Sequence, residues 1–194
     1  MRLVKPLAII VILLAINLLY GCAPVVVGGA ATGASVVHDR RTVGTTVEDQ
    51  NIEIKALRIR AQDSELTNNS NLSATSYNKV VLLTGQANSE EYRRRYVEQI
   101  RRIPEIKRVV DEIQIGPSVS LTQQGKDAFT TSKVKIKLFD VKLPDFDPTR
   151  VKVVTNSGNV YLMGIVTEQE AAQVVQKVRY VSGVKRVIKI FEYR

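Results

Sequence analysis

The second half of this 194-residue chain repeats the first. Val81-Leu82-Leu83-Thr84-Gly85 returns as Val160-Tyr161-Leu162-Met163-Gly164. Ile103-Pro104-Glu105-Ile106-Lys107-Arg108-Val109-Val110 returns as Val181-Ser182-Gly183-Val184-Lys185-Arg186-Val187-Ile188. Upstream, Asp49 and Lys55 match Asp127 and Lys133, and the offset is 78 or 79 throughout. Such self-similarity constrains architecture before any other feature does. It predicts two copies of one small unit, residues 46–115 and 126–194. Residues 116–125, GPSVSLTQQG, are uncharged and turn-rich, and read as a linker.

Each unit reads helix, strand, strand, helix, strand. In the second, Asp127–Phe139 is the expected first helix and Val151–Thr155, rich in β-branched residues, a strand. Asn156-Ser157-Gly158-Asn159 is a turn in which Gly158 suits positive φ, and Val160–Val166 is the next strand. Thr167-Glu168 has the chemistry of a helix start: a side-chain oxygen for free backbone N–H groups and an acid in the first turn. Val174, Val175, Val178 and Val181 then recur at helical spacing, Gly183 ends the helix, and Val184–Glu192 is the last strand. The first unit repeats this with Ser89-Glu90 at the cap and Tyr96, Val97, Ile100 and Ile103 on the stripe, stopped by Pro104. The expected fold class is α+β: two tandem αββαβ units, each a three-stranded mixed sheet covered by two helices. Each unit's small core would gain stability from packing against its neighbour.

The αββαβ order, the glycine after the second strand (Gly85, Gly164) and the ending Val181-Ser182-Gly183-Val184-Lys185-Arg186-Val187 together resemble the BON domain family. The first unit departs from the pattern with Pro104-Glu105 where the second has Ser182-Gly183. The resemblance implies a non-enzymatic protein, an association with phospholipid, and service to the integrity of the cell envelope.

The N-terminus agrees. Arg2 and Lys5 precede an apolar run, Leu7–Leu19, broken only by Asn17 and without acids. This is the layout of a secretory signal. Thirteen residues are too few to cross about 30 Å of hydrocarbon, so residues 1–21 are expected to be cleaved. Leu19-Tyr20-Gly21-Cys22 resembles a bacterial lipobox, with Tyr20 where a small residue is usual. Cys22 is then the lipid attachment site; the alternative is a buried cysteine in a core helix. Several acyl chains anchor stably where one does not. Ala23 after the cysteine implies, by the same resemblance, the outer membrane, with the folded part in the periplasm. Residues 22–45 read as a lipidated tether; the stretch 23–37, APVVVGGAATGASVV, has neither helical nor strand period and lacks the lysine and hydroxyl of a phosphate loop.

Charge points to a partner. Residues 46–115 carry eleven basic and eleven acidic side chains; residues 126–194 carry thirteen and seven, a net +6. One unit therefore faces something anionic. Nucleic acid is excluded by the secretory reading, which leaves an anionic phospholipid membrane, where each basic residue contributes ~1 kcal/mol. At ~100° per residue, Lys126, Phe129, Lys133 and Lys137 share a quarter of the first helix of the second unit, with Val134 and Leu138 turned to the core. An aromatic ring among lysines is what an interfacial helix presents. Alternatively, Phe129 packs under the sheet edge and the lysines are merely solvated. Arg93-Arg94-Arg95 lies among Glu90, Glu91 and Glu98 and is expected to be neutralised at helical spacing. The electroneutral first unit suits a protein partner instead, such as the outer-membrane protein assembly machinery.

Catalytic chemistry is not expected. His38, the sole histidine, sits in the tether, and Cys22 is committed to lipid. Neither cofactor nor metal is expected; Asp145 and Asp147, in a proline-containing loop, lack the ligand spacing of an EF-hand.

Overall fold

The computed structural model describes residues 39–194. The signal segment, Cys22, His38 and the tether up to it lie outside the described residues. The first half comprises α1 (Val43–Gln62), α2 (Ser64–Asn69), β1 (Ser70–Tyr77), β2 (Val80–Ala87), α3 (Glu90–Arg101) and β3 (Arg108–Ile115). The second comprises α4 (Leu121–Leu138), a 3-10 turn (Pro148–Arg150), β4 (Lys152–Asn156), β5 (Asn159–Val166), α5 (Glu168–Val178) and β6 (Arg186–Tyr193). Two mixed sheets result, ordered β1-β2-β3 and β4-β5-β6, each with an antiparallel first pair and a parallel second pair. The chain is α+β.

Helix ends follow side-chain chemistry. Ser89 Oγ accepts from the Tyr92 N–H, and Thr167 and Glu170 form a reciprocal capping box at the start of α5. Three helix boundaries differ from those read in the sequence. Ser120 Oγ accepts from the Gln123 N–H, so α4 begins at Leu121 and the last five residues of the compositional linker are helical. Thr42 likewise caps α1, which starts inside the stretch expected as tether. The α5 helix ends at Val178, short of Gly183, which instead occupies positive φ of 98° in the corner leading to β6.

The matched aspartates hold the matched hairpins. Both tight turns have two consecutive residues at positive φ, Asn78-Lys79 and Ser157-Gly158. Asp49 accepts from the N–H groups of Asn78 and Lys79, both at 2.8 Å, and from Ser76 Oγ at 2.6 Å. Asp127 accepts from the N–H groups of Ser157 and Gly158 at 2.8 and 2.9 Å. The matched glycines permit close backbone approach: a Cβ on Gly85 would lie 1.9 Å from the Asn71 carbonyl oxygen of β1, and one on Gly164 2.7 Å from that of Arg150 in the 3-10 turn.

Packing differs from a sheet covered on one face. Along β2, Val81 and Leu83 point to the helices with Ile52, Tyr96 and Ile100. Val80 and Leu82 point the other way, into a third cluster with Tyr77, Tyr161, Met163 and Ile190. Along β5, Val160 and Leu162 face the helices with Val134 and Val174. The two sheets therefore bury their remaining faces on each other, and the central strands are apolar on both sides. All three clusters lie within residues 39–194, so a chain beginning at residue 23 keeps every core residue among those described.

Candidate functional site

The α4 helix carries two opposed faces. Asp127, Thr130, Val134 and Leu138 are buried against the second sheet. On the opposite side Leu121, Phe129, Ile136 and Phe139 are 83%, 66%, 71% and 62% exposed. At ~100° per residue these four fall within an arc of about 80° and share one apolar side of the helix. Monomeric surfaces scatter single apolar side chains, whereas contiguous patches mark interaction sites. Phe129 does not pack under the sheet edge.

Lysines flank the stripe on both sides. Lys126, Lys133 and Lys137 border Phe129, and Lys135 borders Phe139. Lys126 and Lys135 have no ion pair or side-chain hydrogen bond among the described residues. Lys133 lies 4.8 Å from the centre of the Phe129 ring and also donates to the Ser182 carbonyl. Lys137 pairs with Asp140 at 2.6 Å, and this ammonium holds the Asp140 carboxyl below its ordinary range. Of the four residues marked in the sequence, Phe129 and Lys126 project freely, while Lys133 and Lys137 are partly occupied at home. Lys133 repeats Lys55, which pairs with Glu105 at 2.7 Å at the matching corner of the first half. Its position is thus partly architectural.

Sequence reasoning missed Leu121, Ile136 and Phe139. The signal was present: Ser120 with Gln123 three residues on is a helix-start pattern, and once α4 begins at Leu121 the stripe follows from spacing. The basic run on α3 behaves as its surroundings predict. Arg93 pairs with Glu90 and Asp111, Arg94 with Glu98, and Arg95 with Glu91, Glu65 and Asp63. Asp147 caps the 3-10 turn through the Thr149 N–H, and no group of three or more metal-ligating side chains occurs among the described residues. No helix among them is long and apolar enough to cross a membrane.

The residues just before α1 join the two halves. Arg40 makes a two-pronged ion pair with Glu170 at 2.6 and 2.7 Å and donates to the Ile165 carbonyl at 2.8 Å. These hydrogen bonds hold the Glu170 carboxyl below the usual carboxylate range. Arg41 pairs with Asp49 and Asp39 and lies 4.0 Å above the Tyr77 ring. The end of the tether is thereby fixed to the second half as well as the first.

The sequence matches the family described as BON domain twice, over residues 48–117 and 126–194. It is 34% identical over 191 residues to the outer membrane lipoprotein DolP of Haemophilus influenzae, covering 97% of each chain. It is 28% identical over 155 residues to a 21 kDa hemolysin of Actinobacillus pleuropneumoniae, covering 80% of this chain and 79% of that one. Among solved structures, CdsD, a structural protein of the type III secretion system of Chlamydia trachomatis, aligns over 74% of this chain and 92% of its own at 10% identity with a TM-score of 0.30, a likeness too loose to inform function.

Proposed function

Because the chain belongs to the BON domain family, with one such domain in each half, we propose that it is a non-enzymatic outer-membrane lipoprotein that binds anionic phospholipid through α4 and supports envelope integrity. The observation that carries this reading is the exposed stripe Leu121, Phe129, Ile136 and Phe139 flanked by lysines. Aromatic and aliphatic side chains enter the headgroup boundary while ammonium groups stay with the phosphates. The basic excess of the second half adds long-range attraction that salt weakens. A relative named as an outer membrane lipoprotein, covered over 97% of its length, supports the location. Cys22 is the residue proposed to carry the anchor, and palmitate is one of its proposed acyl chains; mass spectrometry of the mature N-terminus tests that modification.

Vesicle flotation of the chain from residue 23, which lacks lipid, tests the headgroup contact. The expected result is flotation with phosphatidylglycerol vesicles, little with phosphatidylcholine, and loss at high salt. Phe129→Glu weakens it about tenfold or more with the fold intact, since one buried large apolar side chain contributes roughly 1.5–3 kcal/mol. Binding of a folded Phe129→Glu chain at wild-type strength contradicts the proposal.

A second, compatible reading is favoured by α1. Val43, Val47, Ile54 and Leu57 are exposed along one side of that helix. Their flank mixes signs, with Glu48, Lys55, Arg58 and Glu105 around a shallow cleft of about 180 Å³. Mixed charge beside an aliphatic stripe suits a protein partner, and the outer-membrane protein assembly machinery is the proposed one. Salt-insensitive capture of one such component, lost in Leu57→Glu and kept in Phe129→Glu, supports it; equal loss in both variants counts against it.

A further inference from the structure

A cavity of about 390 Å³ opens at the C-terminal end of α4. That volume is in the range of small-molecule sites. Its wall is largely apolar, made by Leu138 at the end of α4, Phe139 that caps it, Pro148 of the 3-10 turn, Val151 and Val153 at β4, and Tyr77 from the first half, whose hydroxyl is turned to the Arg150 carbonyl. Its charged lining residues are Arg41, Lys135 and Lys152, three cations and no carboxylate. Arg41 and Lys152 are braced from outside the cavity, by Asp39 and Asp49 and by Glu53 respectively. Lys135 has no partner among the described residues.

The matching place in the first half is built differently. By the repeat offset, Leu57, Arg60, Leu72 and Ala74 stand where Lys135, Leu138, Val151 and Val153 stand. A hollow of about 370 Å³ exists there too, but Glu53, Asn71 and Ser73 line it. Arg60 reaches across to the Leu72 carbonyl, in the place of the apolar Leu138. The apolar, cation-rimmed version is built mainly by the half with the basic excess, completed by Arg41 and Tyr77 of the first half, and it shares Lys135 and the capping Phe139 with the helix proposed to meet the bilayer.

We infer that this cavity holds one anionic phospholipid molecule, its phosphate at Lys135 and part of an acyl chain on the Leu138–Phe139–Val151–Val153 wall. The inference deepens the proposed role of α4 and rests on it: the helix brings the cavity mouth to the headgroup level, and the cavity turns surface adsorption into one-to-one capture. A carboxylate-free rim selects an anionic headgroup, and an open apolar wall distinguishes a lipid from free phosphate.

The test uses the chain from residue 23 and dihexanoyl-phosphatidylglycerol below its micelle-forming concentration, followed by calorimetry. Saturation at one lipid per chain is expected, with dihexanoyl-phosphatidylcholine at least fivefold weaker and inorganic phosphate showing no saturable binding. Thr149, exposed at the mouth and off α4, is replaced in Thr149→Trp to fill the entrance. That variant is expected to bind the monomeric lipid at least tenfold more weakly and to float with phosphatidylglycerol vesicles as the wild type does. Lys135→Gln, on the exposed side of α4, checks the same site without filling it and is expected to weaken single-lipid binding about fivefold. Absence of saturable binding by the wild type, or wild-type affinity in both variants, overturns the inference. Vesicle flotation without single-lipid capture defeats the cavity alone; absence of flotation by the wild type defeats the reading of α4 beneath it.

Discussion

The α1 and α4 helices are the same element of two copies, and they agree on the inside and disagree on the outside. Inward, Asp49 and Asp127 hold the hairpin that follows, and Ile52 and Ala56 stand where Thr130 and Val134 stand, all buried. Lys55 and Lys133 both reach the corner after the second helix of their half. Outward, both show an apolar stripe, but α1 presents aliphatics beside mixed charge, whereas α4 presents two phenylalanines and two aliphatics between lysines. Positions that build the fold keep their burial and their hydrogen-bonding task in both halves, and positions facing outward differ in chemistry. Work specific to each half is therefore to be sought in what the repeat does not share.

The largest expected effect strikes the shared part. Asp49→Ala strands three donors at once, two turn N–H groups and the Ser76 hydroxyl, and takes from the Arg41 guanidinium one of its two carboxylate partners. It is expected to cost about 3 kcal/mol in urea unfolding, and Asp127→Ala about 2 kcal/mol because it strands fewer donors. Equal costs would show that the brace from Arg41 adds nothing to the first half.

A smaller effect concerns the joint between the halves. Arg40→Ala removes a buried pair and is expected to cost about 2 kcal/mol at neutral pH. The carboxyl of Glu170 has an ordinary value of 4.5 and a lowered one in the fold. Its contribution is full above that ordinary value and is lost as pH falls through the lowered one. The gap between wild type and Arg40→Ala should thus hold steady from pH 7 down to about 4.5 and then close. A gap that widens on acidification would contradict the assignment.

The smallest effect separates two tyrosines. Burial, with Glu112 nearby, pushes the Tyr161 hydroxyl up to about 12 from 10.0. Burial does the same for Tyr96. A raised acid favours the fold below the unfolded value and loses that contribution as pH rises through the folded one. Stability should fall between about pH 10 and 12, and Tyr161→Phe should flatten part of that fall, leaving the Tyr96 part in place. The same alkaline fall in Tyr161→Phe and wild type would assign the whole effect elsewhere.

The fold's elements were legible because repeat, period and caps all operate within a few residues. Val174 and Val178 announce a helix face, and Thr167 announces its start, without reference to the rest of the chain. The stacking of the sheets was less visible. Yet Val80–Leu83 and Val160–Met163 are unbroken apolar runs rather than alternating ones, which is how strands buried on both faces read. Asp49 and Asp127 were visible as repeat landmarks, but their task lies 27 to 31 residues away in sequence and needs the fold to appear. Arg40 and Arg41 marked only a shift in composition, and their ion pairs are tertiary. In the candidate site, Phe129 and its lysines could be placed by spacing alone. Leu121 hid in a segment whose composition resembled a linker, and Ile136 and Phe139 lost their meaning without it.

The contrast between the two helices can be tested in one paired experiment on the chain from residue 23. A glutamate is placed on the stripe of α4 by Ile136→Glu and on the stripe of α1 by Ile54→Glu, and both folded proteins are floated with phosphatidylglycerol vesicles. Membrane contact through α4 predicts that Ile136→Glu loses about tenfold or more in binding while Ile54→Glu floats as the wild type does. Unimpaired flotation of Ile136→Glu, or equal loss in the two variants, would contradict it.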